Sequence, residues 1–306
     1  MKGGTLFSGG GGLCLGMVAA GVEHAWGVEY DDRIAQVARD NGLNTITADI
    51  LQCDPSAFEP VDFLHASPPC PNFSNAKANA EETDNDRALA AKVCEFITEL
   101  LPSIFTLENV YAYRKSKSWQ RIAKTLLTHG YQVNYWHVNM ADYGVPQTRK
   151  RMIAIARRDG ITPMLPPSTH AETAVNDLFG SKRQWVGWYE AIEDLVKTFP
   201  ERDFMKYQKR ELGDILLKHV AVEGANASPP IQYKSKEKPL WTIAAMSTIS
   251  KHPIIFRDKD GITRHMQLSG IQRIGSFPDS YKNISERIIG NAVPPLFAQR
   301  LVEWLI

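Results

Sequence analysis

The sequence predicts an α/β fold: a doubly wound, mostly parallel sheet with a second, smaller domain. Three observations carry that expectation. Through the first half, short apolar runs alternate with stretches of helical spacing, the pattern of a sheet built from strand–helix units. A Gly-rich turn, Phe7-Ser8-Gly9-Gly10-Gly11-Gly12, separates the first run from the first helix. Beyond Arg157 the rhythm breaks, and Gly160 to Gly261 is rich in Pro, Lys and Trp with no clean period.

The elements follow in order. Thr5-Leu6-Phe7 is the first strand, and Leu13 to Ala20 a helix stopped by Gly21. His24 to Glu29 reads as a second strand, and Arg33 to Asp40 as a helix closed by Asn41-Gly42. Asn44 to Asp49 is the third strand, and Val61 to Ala66 the fourth, ending in Ser67-Pro68-Pro69-Cys70. Arg87 to Leu101 has helical spacing and stops at Pro102, after which Ile104 to Leu107 is a fifth strand. Ser118 to Thr128 is a helix ended by Gly130, and Tyr131 to Met140 and Met152 to Ala156 complete the strand series. After Pro294-Pro295, Leu296 to Ile306 is helical, with Leu296, Phe297, Leu301, Trp304 and Leu305 on one side, and is expected to pack back on the first domain.

Composition narrows the class. Hydrophobic residues make up 43% and charged residues 23% of the 306, which excludes disordered and fibrous chains. No run approaches the roughly 18–20 apolar residues of a membrane span, and no signal peptide fits before the Gly-rich turn. The four cysteines, Cys14, Cys53, Cys70 and Cys94, form no C-x-x-C pair, so neither a zinc knuckle nor a disulfide framework is expected and a reducing cytoplasm is. Residues 1–150 carry 13 Lys/Arg against 17 Asp/Glu, and residues 151–306 carry 22 against 17, so an anionic partner would suit the second half.

Three constellations carry chemistry. Glycines after the first strand let backbone N–H groups approach a ligand at the positive end of a helix, and Glu29 closes the second strand where such folds hold a ribose. Asp49 closes the third strand on the same sheet edge. This pattern suits a dinucleotide or another adenosine-containing cofactor equally. Next, Pro69-Cys70 and Glu108-Asn109-Val110 end two neighbouring strands, so a thiol and a carboxylate can converge on one substrate. Cys14, Cys53 and Cys94 read instead as small hydrophobes. Last, Gln147-Thr148-Arg149-Lys150-Arg151, taken as one strand, would point Gln147, Arg149 and Arg151 to a common face, with forked donors for a carbonyl or phosphate.

Together these blocks resemble cytosine-C5 DNA methyltransferases of bacterial or phage type: Phe7 to Gly12, Pro69-Cys70, Glu108-Asn109-Val110, Gln147 to Arg151 and Gly290-Asn291-Ala292-Val293-Pro294-Pro295 stand in the family's order along nearly the whole chain. The resemblance implies a Rossmann-like catalytic domain of residues 1–157 plus 285–306 and a DNA target-recognition domain of residues 158–284. It implies S-adenosylmethionine as cofactor and no metal. Phe7 would lie against the adenine, Gly9, Gly11 and Gly12 form the loop, Glu29 bind the ribose, Asp49 the adenine amino group, and Asn291 and Val293 close the site. Cys70 would attack C6 of a flipped cytosine, Glu108 hydrogen-bond N3 and the amino group, and Arg149 and Arg151 support the base and thiolate. Pro69, Ser74, Lys77, Asn109 and Gln147 would contact substrate, and Asn72 to Asp86 form a mobile lid over the base.

The implied partner is double-stranded DNA, bound by a monomer in the cytoplasm of a bacterial or phage-infected cell, with no membrane contact and with a cognate restriction enzyme as a candidate companion. Between Arg157 and the Gly-Phe-Pro-like segment at Ser276-Phe277-Pro278, Trp185, Trp188, Tyr189, Tyr207, Tyr233 and Trp241 lie among Lys182, Arg183, Lys206, Lys209, Arg210, Lys234, Lys236 and Lys238. The basic residues suit phosphates, while most of the aromatics suit a small core. Two departures stand out: Pro71 replaces the family's Gln after the cysteine, and Gln267-Leu268-Ser269-Gly270 replaces its Thr-x-Arg-Glu. Pro239-Leu240-Trp241-Thr242 matches its Pro-x-x-Thr element. A tRNA cytosine-C5 methyltransferase, a catalytically silent DNA-binding homologue and a nucleotide-dependent oxidoreductase are the competing readings.

Overall fold

The strands of the first half are short, nearly continuous apolar runs, as strands covered on both faces by helices must be. In the computed structural model they are β1 (Lys2–Leu6), β2 (Glu23–Glu29), β3 (Thr45–Thr47), β4 (Phe63–Ala66), β5 (Ile104–Asn109), β6 (Gln132–Asn139) and β7 (Lys150–Arg157). The structure describes residues 1–69, 82–177, 180–201, 215–217, 233–244 and 254–306. Chain contacts divide it into two units: Met1–Met140 with Lys150–Pro167 and Ala292–Ile306, and Ala141–Arg149 with Ser168–Asn291.

In the first unit these seven strands form one sheet in the order β3-β2-β1-β4-β5-β7-β6. From β3 to β5 neighbouring strands are parallel; β7 runs antiparallel to both β5 and β6. Four helices connect the strands: α1 (Gly12–Ala19), α2 (Asp32–Asp40), α3 (Asp84–Leu100) and α4 (Lys117–Thr128). Local chemistry sets their starts. Asp31 caps α2 by accepting from the Arg33 N–H, and Ser116 caps α4 by accepting from that of Trp119. Thr83 and Asp86 form a reciprocal capping box, so α3 begins at Asp84 rather than at Arg87. Residues 82–86, expected at the end of a lid, are therefore the entry to a helix; the rest of that stretch lies outside the described residues.

Beneath the sheet, Leu64, Val93, Phe96, Ile97, Phe105, Ile122 and Leu126 are buried in one apolar cluster. The helix Pro295–Leu305 returns to pack on α1. Gly16 makes that crossing close: a Cβ there would stand 2.4 Å from Ala298 Cβ and 2.6 Å from the Pro295 carbonyl oxygen. Arg157 ties the same helix down by donating to the Leu305 carbonyl at 2.9 Å. No helix among the described residues is long and apolar enough to cross a membrane.

The second unit is built from strands too short to show a period in sequence. His170–Ala171, Val175–Asp177 and Gly180–Gln184 pair together, and Ile215–Leu217, Tyr233–Ser235, Ile255–Arg257 and Thr263–His265 form another small sheet. Trp188, Tyr189, Phe199 and Phe256 are buried in its core, with Trp188 and Phe256 edge to face at 5.2 Å between ring centroids. Two of the interleaved aromatics are thus core, as expected. Lys182 and Arg183 are exposed. Lys206, Tyr207, Lys209 and Arg210 lie outside the described residues.

Candidate active site

Strand order places the crevice. The connections of β1 and β4 run to opposite sides of the sheet, so the switch point lies between them, beyond their carboxyl ends. There β1 passes into the Gly-rich turn, with Gly9 and Gly11 at φ +56° and +81° and Phe7 itself at φ +59°. An aromatic residue in the left-handed region costs on the order of 1–3 kcal/mol, and such strain gathers where backbone must meet a ligand. Gly11 occupies the N-cap of α1 and supplies no side chain to cap it, which leaves that end suited to an anion.

Acidic side chains edge this crevice. One Glu29 carboxylate oxygen accepts from the Gly9 N–H at 2.9 Å and the other from the Asp31 N–H at 3.0 Å, so loop and acid hold each other. Asp49 accepts from the Leu51 N–H at 3.0 Å and starts the turn Ile50–Gln52. Val293 is buried in the same unit. Two features were missed from sequence. Tyr30, directly after Glu29, is 74% exposed, and an aromatic beside a strand-end acid was the available signal. The Ser8 hydroxyl oxygen is buried with no hydrogen-bond partner among the described residues. A strained Gly-rich turn, two carboxylates, an exposed ring and an orphaned hydroxyl fit a nucleoside that carries a charged tail.

The neighbouring strand ends hold a second cluster. Glu108, 6% exposed on β5, is flanked by Arg151, whose Nε lies 3.1 Å from Oε1, and by Ser67, whose hydroxyl reaches Oε2 at 3.4 Å. Arg151 can sit there because β7 is antiparallel: its first residues lie at the edge where β5 ends, with Asn109 opposite Met152. The Asn109 side-chain amide donates to the Pro68 carbonyl at 3.0 Å, and its oxygen accepts from the Val110 N–H. Asn109, expected at the substrate, thus straps β5 to the segment that leads into Pro69, which is exposed. Cys70, Ser74 and Lys77 lie outside the described residues. Cys14 and Cys94 are buried, and burial pushes the Cys14 thiol up to about 11.

Gln147 to Arg151 is not the single strand expected. Gln147–Thr148 pairs with Leu240–Trp241 in the second unit, and the Arg149 N–H turns back to the Gln147 carbonyl at 3.0 Å before β7 begins. The common face inferred from alternation is therefore absent. Buried Gln147 bridges the Ile274 carbonyl and the Ile243 N–H, each at 3.3 Å. Arg149, 2% exposed, donates to the Gly290 carbonyl at 2.9 Å. Thr242 accordingly donates to the Thr148 carbonyl at 2.7 Å, joining the Pro-x-x-Thr element to this block. Asn291 ends the helix Glu286–Asn291 and is exposed.

A crevice of this kind at the switch point of a doubly wound sheet belongs to α/β enzymes that bind nucleoside cofactors. The family model for C-5 cytosine-specific DNA methylases matches residues 1–306. Among curated relatives, the Type II methyltransferase M1.HphI of Haemophilus parahaemolyticus is 28% identical over 97% of this chain and 84% of its own. M.DdeI of Desulfomicrobium norvegicum is 27% identical over 97% and 86%. Among solved structures, the S. pombe Dnmt2 methyltransferase superposes with a TM-score of 0.69 at 16% identity, covering 100% of this chain and 98% of that one. A putative DNA modification methyltransferase from an E. coli prophage gives 0.64 at 20% identity, covering 100% and 98%. Both likenesses speak to the fold. The chain belongs to the C-5 cytosine-specific DNA methylase family: it is a DNA cytosine-C5 methyltransferase, and the family draws its methyl group from S-adenosylmethionine.

Proposed function

We propose that this chain methylates a cytosine flipped out of double-stranded DNA through a covalent adduct between Cys70 and C6. The observation that carries the reading is the Glu108 carboxyl, held by Arg151 and Ser67 one strand away from Pro69, the residue before Cys70. C5 of cytosine is a weak nucleophile because its electrons belong to the ring. Attack of the Cys70 thiolate forms a sulfur–C6 bond and gives C5 enamine character. A proton held between one Glu108 oxygen and N3 passes to N3 while the other oxygen accepts from the exocyclic amine, so the charge that attack builds on the ring is neutralised. Arg151 steadies Glu108 and offers a donor to the base O2, and Arg149 acts as a positioning residue through Gly290. C5 then takes the methyl group and gives its proton to water, and the electron pair of that C–H bond restores the C5–C6 double bond as the C6–sulfur bond breaks to return the thiolate.

S-adenosylmethionine supplies an electrophilic methyl group when bound. Phe7, Gly9, Gly11 and Gly12 would hold it from the loop, Glu29 at the ribose, Asp49 and Tyr30 at the adenine, with Asn291 and Val293 also assigned to it. Residues 158–284 are read as the target-recognition domain, with Lys182, Arg183, Lys234, Lys236 and Lys238 toward phosphates. Pro69, Ser74, Lys77, Asn109 and Gln147 are assigned to the flipped nucleotide and the path it takes. The base must leave the stack, at a cost of a few kcal/mol. The likeness to proteins named Type II methyltransferases supports a cognate restriction enzyme as companion, and the chain is read as acting as a monomer in the cytoplasm.

The adduct can be trapped. DNA bearing 5-fluorocytosine cannot lose a proton from C5, so wild type with S-adenosylmethionine should form a protein–DNA species that survives denaturation, and Cys70→Ala should not. Equal trapping by Cys70→Ala would remove this residue as the nucleophile.

A further inference from the structure

Four polar side chains form a line on one face of two central strands. In the parallel register of β4 and β5, His65 stands opposite Thr106. Side chains two apart on a strand share a face, so Ser67 follows His65 and Glu108 follows Thr106 on that same side. The residues that alternate with them, Leu64, Ala66, Phe105 and Leu107, are all apolar and buried. In this position a doubly covered sheet calls for apolar side chains, yet His65 is 3% exposed and Thr106 fully buried. Burying them is affordable because they satisfy one another. Thr106 Oγ1 lies 2.8 Å from His65 Nδ1, His65 Nε2 lies 2.8 Å from Ser67 Oγ, and Ser67 Oγ lies 3.4 Å from Glu108 Oε2.

The direction of the chain follows from its end. A carboxylate accepts, so the Ser67 hydroxyl donates to Glu108. The Ser67 oxygen then accepts from His65, which places the imidazole proton on Nε2, and Nδ1 accepts from the Thr106 hydroxyl. All three bonds point toward the carboxyl group. Burial pushes the His65 pKa down to about 3, so the ring stays neutral and can accept at one nitrogen while donating at the other. On its other oxygen, Glu108 meets Arg151. The carboxyl is held from two sides, one charged and one neutral.

We propose that His65, Ser67 and Thr106 are positioning residues for Glu108, a polarised hydrogen-bond chain that fixes the plane of its carboxyl group for the flipped cytosine. The inference rests on the reading of Glu108 as the residue that meets N3. Its value to the reaction is geometric: a small misplacement of a catalytic group can cost on the order of 100-fold in rate. The chain costs no net charge in the sheet, whereas a second cation beside Arg151 would.

Single-turnover methyl transfer to mixed-sequence DNA tests this in a double-mutant cycle. Thr106→Val keeps shape and removes the donor to Nδ1; Ser67→Ala removes the last link. Each should slow transfer by roughly ten-fold with cofactor affinity and KM for DNA unchanged, and Thr106→Ser should recover the rate. In a Glu108→Gln background neither substitution should slow the residual rate further, because the group they position is already lost. If both still cost ten-fold in that background, or cost nothing in the wild type, the positioning role is overturned. If Glu108→Gln itself transfers at the wild-type rate, the reading of Glu108 fails first, and the proposal falls with it. Thermal unfolding of Ser67→Ala close to that of wild type marks the loss as one of rate; a rate loss that tracks a lowered melting temperature overturns the proposal.

Discussion

His24 and His65 are both taken out of water in the sheet of the first unit, but by different arrangements. His65 has a partner on each ring nitrogen, whereas both nitrogens of His24 are buried with none among the described residues. Burial lowers the pKa of His24 to about 4 and that of His65 to about 3. Because the folded values lie below the unfolded value of about 6.5, the unfolded chain takes protons first on acidification. Stability from these groups is present above the unfolded value and is lost as pH falls below 6.5, down to about 4 for His24 and about 3 for His65, by about 1.4 kcal/mol per pH unit for each histidine. Urea unfolding at pH 7.5 and pH 5.5 should therefore show a lower midpoint in acid, with a smaller drop in His24→Leu. An equal drop in that variant would mean that His24 is not buried neutral. At this scale the positions of three acids were legible, because strand ends can be read from apolar runs: Glu29 closes β2, Asp49 follows β3, and Glu108 is the last residue but one of β5. His65 was passed over because a histidine inside an apolar run gives no sign of what stands opposite it. Arg149 and Arg151 were grouped by alternation, which fails when the chain leaves one pairing for another between them.

Among elements, the crossing of α1 and the helix Pro295–Leu305 depends on Gly16. Alanine has the better helix propensity by up to about 1 kcal/mol, but its methyl group would stand 2.6 Å from both the Gln299 nitrogen and the Pro295 carbonyl oxygen. Backbone atoms of a packed helix cannot step aside as a side-chain tip can. Gly16→Ala should thus destabilise by about 1–3 kcal/mol, read as a lowered denaturation midpoint with an unchanged slope. A variant as stable as wild type would show that the two helices can part at no cost. The strand–helix alternation identified every strand of the main sheet, with boundaries displaced by caps such as Thr83–Asp86. The antiparallel direction of β7 was not legible, since direction is set by what a strand pairs with. That direction is nonetheless what brings Arg151 to Glu108.

Over the whole molecule, order along the chain and order in space differ in an instructive way. The Gly-rich turn, the strand-end acids and Glu108–Arg151 all fall in the first unit, while Gln147–Arg149 and Gly290–Asn291 fall together in the second, joined through Arg149. A sequence reading finds the blocks but cannot say which unit each completes, because that depends on contacts across more than a hundred residues. The second unit was opaque for a plainer reason: strands of two to five residues carry too few alternations to register. The proposed chemistry joins the two ends of this scale: Cys70 and Glu108 act together on a cytosine in DNA. Wild type and Cys70→Ala should each be given mixed-sequence DNA, and separately tRNA, with methyl-labelled S-adenosylmethionine, and the nucleosides identified by mass. Labelled 5-methyldeoxycytidine is expected from wild type on DNA and none from Cys70→Ala. Label retained by the variant, or found on tRNA alone, would contradict that chemistry.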